Sequence, residues 1–287
     1  MRTHYGPITL EPLTAGVGAE VEGITIGPLD DEILEHLTEA WLDWKVLFFR
    51  DQDVSTEDHI AFGRLFGDLE VHPFLPNDGN PEIVVLDSEA AGPSRATKWH
   101  TDVSFRERPP MGSILRGRII PPVGGDTLWV DMEQAYDSLD DETKDRIEHL
   151  TATHSLRKGF GRRLSEEELE AKLVEFPDQE HPLVRVHPVT GRRSVLVSEP
   201  FVTHINELDP ADGQPLLRSL QMLANDPTFQ VRFRWREHSF AMWDNRCTQH
   251  RASQDYVGRR RVERVTLLGE RPVGPGDVRE LTSSSVG

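Results

Sequence analysis

A chain of 287 residues with 32 Lys+Arg against 49 Asp+Glu carries a formal charge of −17, which argues against nucleic acid as a partner because phosphate binding needs a basic footprint. Its single cysteine, Cys247, permits neither an internal disulfide nor a Cys-rich zinc site and agrees with a reducing cytoplasm. No apolar run approaches the ~20 residues of a membrane span, and the stretch MRTHYGPITLEPLTAGVG lacks a charged segment followed by an apolar one, so neither membrane insertion nor export is expected.

In chain order, residues 30–44 set Ile33, Leu37, Trp41 and Trp44 on one helical face, and a second helix is expected near 55–66. Ser165 and Glu168 form a capping box ahead of Leu169 and Leu173. Leu216, Leu220 and Leu223 mark a further helix after the Asp209–Pro210 turn. Strands are expected at 45–49, 82–87, 113–120, 127–131, 183–186, 194–198, 231–236, 240–243 and 259–268, each bounded by Pro, Gly, Asn or Asp. Val231-Arg-Phe-Arg-Trp-Arg236 alternates strictly, as a half-buried strand with its arginines in water would. Many short strands with a few helices indicate a mainly β fold with helical insertions, a sandwich or jelly roll, as one domain over 1–272. Residues 273–287 are small, polar and Gly/Ser-rich, and are expected to form a flexible tail.

The segment His100-Thr-Asp102 reads as extended, so residues 100 and 102 project to the same side and bring an imidazole and a carboxylate together. Two ligands are too few for a tight metal site, and position favours His250 as the third, closing Trp243-Asp-Asn-Arg-Cys-Thr-Gln-His250 just beyond a short apolar strand. Two histidines and one carboxylate leave cis positions open for a chelating co-substrate and dioxygen, which suits Fe(II). Arg260 and Arg264, four apart, face one way on the following strand, where a buried guanidinium would clamp a carboxylate. Each residue alone has a plainer reading: a surface hydrogen-bonded His-x-Asp pair, a turn cap at Asp102, a core histidine at 250, an ion pair of Arg264 with Asp255 or Glu263. Their joint occurrence outweighs those. Gly124-Gly125 reads as a turn rather than a phosphate cradle, since no helix or lysine follows, and nothing equips Cys247 as a nucleophile.

Five blocks occur in one order across most of Ile8 to Pro272: Trp99-His-Thr-Asp-Val-Ser-Phe105, Gly124-Gly-Asp-Thr-Leu-Trp129, His181-Pro-Leu-Val-Arg-Val-His-Pro188, Trp243-Asp-Asn-Arg-Cys-Thr-Gln-His-Arg-Ala252 and Arg264-Val-Thr-Leu-Leu-Gly269. With them the chain resembles the taurine dioxygenase (TauD/TfdA) family of Fe(II)/2-oxoglutarate-dependent dioxygenases. The resemblance implies a double-stranded β-helix, a cupin-like jelly roll, with iron on His100, Asp102 and His250 and with 2-oxoglutarate and dioxygen as co-substrates. It implies that Thr127 and Arg260 hold the distal carboxylate of 2-oxoglutarate. Arg259 or Arg261 could take that place in another register, but strand alternation favours Arg260, which shares a face with Arg264. It implies that Arg264 and His72 grip the acidic group of the prime substrate, with Val103, Phe160 and Phe201 on the substrate pocket wall.

Where the taurine enzyme receives the amino end of taurine, this sequence has Leu75 and Ala96, and Gly159 stands in place of a pocket serine. An ammonium left unpaired there costs on the order of several kcal/mol, so taurine is expected to be a poor substrate. An anionic head on an apolar body is expected instead: an alkyl- or arylsulfonate, a sulfate ester or an aryloxyalkanoate. Hydroxylation of the carbon next to the heteroatom would accompany release of succinate and carbon dioxide. The alternatives are a zinc hydrolase on the same three ligands and a non-catalytic cupin-like protein that binds an organic anion. A homodimer or homotetramer is the expected assembly, and the Gly, Arg and capped helix of residues 160–175 permit a lid without requiring one.

Overall fold

Four consecutive apolar residues, Val46–Phe49, form a strand buried on both faces, and period-two alternation sorts its side chains between two cores. Leu47 and Phe49 turn to a core covered by the helices Asp31–Trp44 and Thr56–Arg64, where they meet Leu37, Trp41, Ile60 and Phe62. Val46 and Phe48 turn the other way, against Trp129, Val231, Phe233 and Trp243. The neighbouring strand Phe240–Asp244 repeats this, with Phe240 and Met242 toward the helices and Ala241 and Trp243 inward.

The computed structural model describes residues 1–72, 75, 77, 79–91 and 96–277. Its largest sheet has eight strands in the order His4–Tyr5, Ile8–Pro12, Ala19–Glu22, Val46–Phe49, Phe240–Asp244, Gly112–Ile119, Arg261–Leu267 and Val84–Asp87. A three-stranded sheet, Gln230–Phe233, Thr127–Asp131 and Thr248–Ala252, packs on its inner face. Smaller sheets of three strands (Val202–Ile205, Thr151–His154, Gln179–Pro182) and two strands (Val184–Val186, Arg193–Val195) extend the far end, and the helix Pro210–Met222 buries Leu216, Leu217 and Leu220 there. Every pairing is antiparallel except Ala19–Glu22 with Val46–Phe49. This is the jelly roll with helical insertions that the sequence indicates.

The expected helices are present with their caps. Asp30 caps Asp31–Trp44, Ser55 and Asp58 form a capping box before Thr56–Arg64, and Ser165 with Glu168 forms the box ahead of Glu166–Glu175. In residues 231–236, Val231, Phe233 and Trp235 are buried while Arg232, Arg234 and Arg236 are exposed, although the strand itself is the shorter Gln230–Phe233. The sequence reading misses the three N-terminal strands, Thr151–His154, Val202–Ile205 and the short helices Met132–Asp137 and Asp141–Ile147. Two local expectations need correction. His250, just beyond the short apolar strand as expected, lies in a strand of its own, Thr248–Ala252, that is not among the expected ones, and Arg260 precedes the strand Arg261–Leu267, which bulges between Arg261 and Val262. The stretch expected to be loose from residue 273 is docked at its start: the Val186 N–H donates to the Val273 carbonyl at 2.9 Å, and the Gly274 N–H to Asp277 Oδ2 at 2.8 Å. Residues 278–287 lie outside the described residues.

Candidate active site

His100 and His250 face each other across an isolated antiparallel bridge, with reciprocal N–H to carbonyl bonds of 3.1 and 2.9 Å and ring centroids 4.2 Å apart. The bridge sets both imidazoles on one side of the inner sheet, and Trp243 packs against the His250 ring at 4.9 Å. Asp102 turns its carboxylate between them: Oδ1 is 3.8 Å from His100 Nε2 and Oδ2 is 3.9 Å from His250 Nε2. One ligand atom from each residue lies within 4.8 Å of the others. All three side chains are buried.

Protonation suits these groups to a cation. Burial, with His100 next, pulls His250 down to about 3, so its imidazole is neutral near pH 7. His100 Nδ1 donates to the Lys98 carbonyl at 2.8 Å, which fixes the ring and turns Nε2 toward Asp102 at the centre of the cluster. Burial alone would raise the Asp102 carboxyl, but Arg264, then His250 and His100, outweigh it and hold the carboxyl well below the usual carboxylate range. The neutral imidazole of His250, the imidazole of His100 and the ionised carboxylate of Asp102, converging and buried, are a fit donor set for a divalent transition metal with open positions.

A second cluster has the same spacing without the same meaning. His187, Asp244 and Cys247 also bring ligand atoms within 4.8 Å. There the Asp244 carboxylate is already taken by Arg246, at 2.9 and 2.6 Å, and by His187 Nε2 at 3.0 Å. A guanidinium thus occupies the place of a cation, and burial pushes the Cys247 thiol up, consistent with its lack of a nucleophilic role.

A cavity of about 430 Å³ opens from the triad, and the anticipated residues all border it: Thr127, Arg260, Arg264, His72, Val103, Phe160, Phe201, Leu75, Ala96 and Gly159. Arg260 is buried, and its Nε donates to the Gly125 carbonyl at 3.0 Å. Among the described residues no carboxylate pairs with it, whereas its neighbours are engaged elsewhere: Arg259 with Asp87 at 2.6 Å and Glu89 at 3.3 Å, Arg261 with Glu263 at 2.9 Å. Gly125, at φ 72°, makes room for this approach, since a Cβ there would stand 3.1 Å from Arg260 Cδ. Thr127, which borders the cavity, accepts the Trp235 indole N–H at 2.9 Å, which leaves its own hydroxyl proton to donate elsewhere.

Arg264 pairs with neither Asp255 nor Glu263. Asp255 pairs with Arg232 at 3.1 Å, and Glu263 lies on the opposite face of the strand. Instead Arg264 Nη1 donates to Asp102 Oδ2 at 2.8 Å, while its buried Nε has no acceptor among the described residues. His72 Nδ1 accepts the Leu75 N–H at 3.2 Å, so its proton sits on Nε2 as a donor, and burial pulls its pKa down to about 4. Phe160 and Phe201 stack at 6.1 Å, and Leu169 and Leu173 of the helix Glu166–Glu175 pack on the same cluster as Val103, Phe105, Leu156 and Phe201. A Cβ at Gly159 would meet Phe201 Cε1 at 2.6 Å, so the glycine is what lets this ring lie where it does.

Trp243, Tyr256, Lys98, Lys158 and Arg162, which the sequence does not single out as site residues, also border the cavity. Asn245 was missed as well, although it lies in a quoted block: its side chain bonds the main chain of Asp102 at 2.9 Å. Only its place between Trp243 and His250 could have drawn attention to it.

The family model described as "Taurine catabolism dioxygenase TauD, TfdA family" matches residues 9–266. An alkylsulfatase of Acinetobacter baylyi is 38% identical over 287 residues, covering 96% of this chain and 90% of the relative. An alpha-ketoglutarate-dependent sulfate ester dioxygenase of Pseudomonas putida is 36% identical, covering 94% and 93%. The crystal structure of a taurine dioxygenase from Burkholderia xenovorans superposes with a TM-score of 0.81 at 38% identity, covering 94% of this chain and 92% of that one.

Proposed function

This chain belongs to the taurine catabolism dioxygenase TauD, TfdA family, and from that premise we propose that its prime substrate is an organic sulfate monoester with an apolar body. It is an Fe(II)- and 2-oxoglutarate-dependent dioxygenase. The observation that carries the substrate reading is the buried Arg264 Nε, without an acceptor among the described residues, placed with His72 at the metal end of a cavity walled by Val103, Phe160 and Phe201. Leu75 and Ala96 offer no side-chain acceptor for an ammonium, which favours a sulfate or sulfonate on a hydrocarbon over taurine.

In this reading His100, Asp102 and His250 hold the iron. The iron, when bound with 2-oxoglutarate and dioxygen, supplies the oxidising power that yields succinate, carbon dioxide and a hydroxyl on the substrate carbon. Arg260 supplies charge and Thr127 a hydroxyl proton to the distal carboxylate of 2-oxoglutarate. Arg264 and His72 orient the sulfate so that the carbon bearing the ester oxygen faces the triad, and the apolar wall excludes water from it. Hydroxylation at that carbon gives a hemiacetal sulfate, whose C–O bond breaks to release an aldehyde and sulfate. A zinc hydrolase on the same ligands is not favoured, since hydrolysis gives no task to the buried Arg260, which has no carboxylate partner among the described residues.

The same reading takes the chain as one catalytic unit that works in the cytoplasm as a homodimer or homotetramer; among the described residues no helix is long and apolar enough to cross a membrane. The test is sulfate release from linear and branched alkyl sulfates, with Fe(II), 2-oxoglutarate and air, against alkylsulfonates, aryloxy acids and taurine. Succinate formed in step with sulfate supports the proposal; turnover of sulfonates or aryloxy acids with no turnover of any sulfate ester refutes it.

A further inference from the structure

Val103, directly after Asp102, has a φ of 38°, a left-handed conformation that a β-branched residue adopts only where its surroundings impose it. The surroundings are visible. Asn245, itself buried, accepts the Asp102 N–H on Oδ1 at 2.9 Å, and its Nδ2 donates to the Asp102 carbonyl at 3.3 Å and to the Pro110 carbonyl at 2.9 Å. One amide thereby engages both main-chain polar groups of Asp102. The Arg106 N–H closes on the Val103 carbonyl at 3.0 Å and completes the turn.

Asn245 is fixed in its turn. Its N–H donates to the Met111 carbonyl at 2.9 Å, and on either side of it Asp244 and Arg246 close an ion pair at 2.6 Å that also holds His187. The buried His187, Asp244 and Arg246 group, which offers no place for a cation, acts as the anchor of this amide.

We propose that Asn245 is a positioning residue that holds Asp102 in its metal-binding geometry against the strain at Val103. Without the amide, residue 103 relaxes toward negative φ, the peptide between 102 and 103 turns, and the carboxylate is carried away from the two imidazoles. Metal affinity therefore depends on a side chain that is not a ligand. The inference rests on the reading of His100, Asp102 and His250 as the metal ligands.

The experiment is titration of the full chain with Mn(II) alone, free ion being read by electron paramagnetic resonance. The variants are Asp102→Ala, Asn245→Ala, Asn245→Asp, Asn245→Ala with Val103→Gly, and Asn206→Ala. Asn206 bonds Thr151 and Thr153 in another sheet and serves as a control for loss of a structural amide. Asp102→Ala should abolish binding, and Asn245→Ala should weaken it about 10- to 100-fold, as removal of an outer-shell partner does. Val103→Gly added to Asn245→Ala should recover most of that loss, because glycine tolerates positive φ. Asn206→Ala should bind as the wild type does. Should Asn245→Ala not fold, Asn245→Asp keeps the size and the acceptor and loses both donated bonds, and should weaken binding measurably.

Equal affinity in the wild type and the foldable Asn245 variants, or no recovery with Val103→Gly, overturns the proposal. Unchanged binding in Asp102→Ala overturns the ligand assignment with it. Loss in Asp102→Ala together with wild-type affinity in Asn245→Ala overturns the positioning role alone.

Discussion

Replacing Arg260 by methionine should separate co-substrate binding from folding. Its guanidinium is buried, bonded to the Gly125 carbonyl at 3.0 Å, and has no carboxylate partner among the described residues. Burial, partly offset by Tyr256 and Asp126, lowers its pKa, yet it remains a cation at neutral pH. Removing one member of a buried ion pair costs about 3–5 kcal/mol. At 1.4 kcal/mol per factor of ten, the Kd for 2-oxoglutarate should rise by roughly a hundredfold to a few thousandfold. Stability without 2-oxoglutarate should change little, because the lost charged hydrogen bond, about 1.5–3 kcal/mol, is offset by no longer burying an unpaired cation. The assay is anaerobic titration of the Fe(II)-loaded chain with 2-oxoglutarate, followed by the visible charge-transfer band, beside urea unfolding of the metal-free chain. Arg259→Met and Arg261→Met should keep wild-type affinity, since Asp87, Glu89 and Glu263 already engage those side chains. Unchanged affinity in Arg260→Met, or a loss confined to Arg259→Met, would refute the assignment.

Arg264→Leu should raise KM for an alkyl sulfate by about thirtyfold or more, the lower end of what truncating a buried charge pair costs. Because Arg264 is the largest influence lowering the Asp102 carboxyl, the same variant should lose Mn(II) at a higher pH than the wild type as the solution is acidified, checked by titration across pH. Gly159→Ser puts a Cβ 2.6 Å from Phe201 Cε1, so the ring must move; KM for longer alkyl sulfates should change about tenfold while 2-oxoglutarate affinity holds, and steady-state kinetics with a chain-length series tests this. His59, His154 and His181 are buried away from the triad and held neutral, His59 down to about 3 and His181 down to about 4 by burial first, and His154 well below its ordinary value for the same reason. The unfolded chain takes up these protons below about 6.5 and the folded chain does not, so their contribution is intact above that pH and is lost on acidification toward the folded values. At pH 5.5 the loss is about 1.4 kcal/mol for each histidine, roughly 4 kcal/mol together, which should lower the urea midpoint relative to pH 7.5; an unchanged midpoint would contradict their burial as neutral groups.

The chemistry of the site was more legible than its geometry. His100 and Asp102 are adjacent enough for extended-chain alternation to pair them, and Ser165 with Glu168 announces a helix because a capping box is made within four residues. The strand Thr248–Ala252, which carries His250, was not legible: Thr-Gln-His-Arg-Ala has no apolar alternation, because its sides are given to the metal site and to polar contacts rather than to a hydrophobic core. His4–Tyr5, Ile8–Pro12 and Ala19–Glu22 escape the sequence reading because none carries an unbroken apolar run such as Val46–Phe49, and only the sheet edge pairs them. The family resemblance implies Arg260 and strand alternation favours it over Arg259 and Arg261, yet Arg260 precedes the strand; it borders the cavity beside the turn at Gly125.

Local order and composition alone determined a mainly β chain with capped helices, a His-x-Asp pair, and a run of arginines near a distal histidine. Tertiary structure decided that His250, 150 residues from His100, is bridged to it, that Arg264 rather than a neighbour touches Asp102, and that Asn245 holds the turn at Val103. The division follows from range: propensities, caps and alternation act over a few residues, whereas which buried donor meets which acceptor is set only when strands distant in sequence close into one sheet.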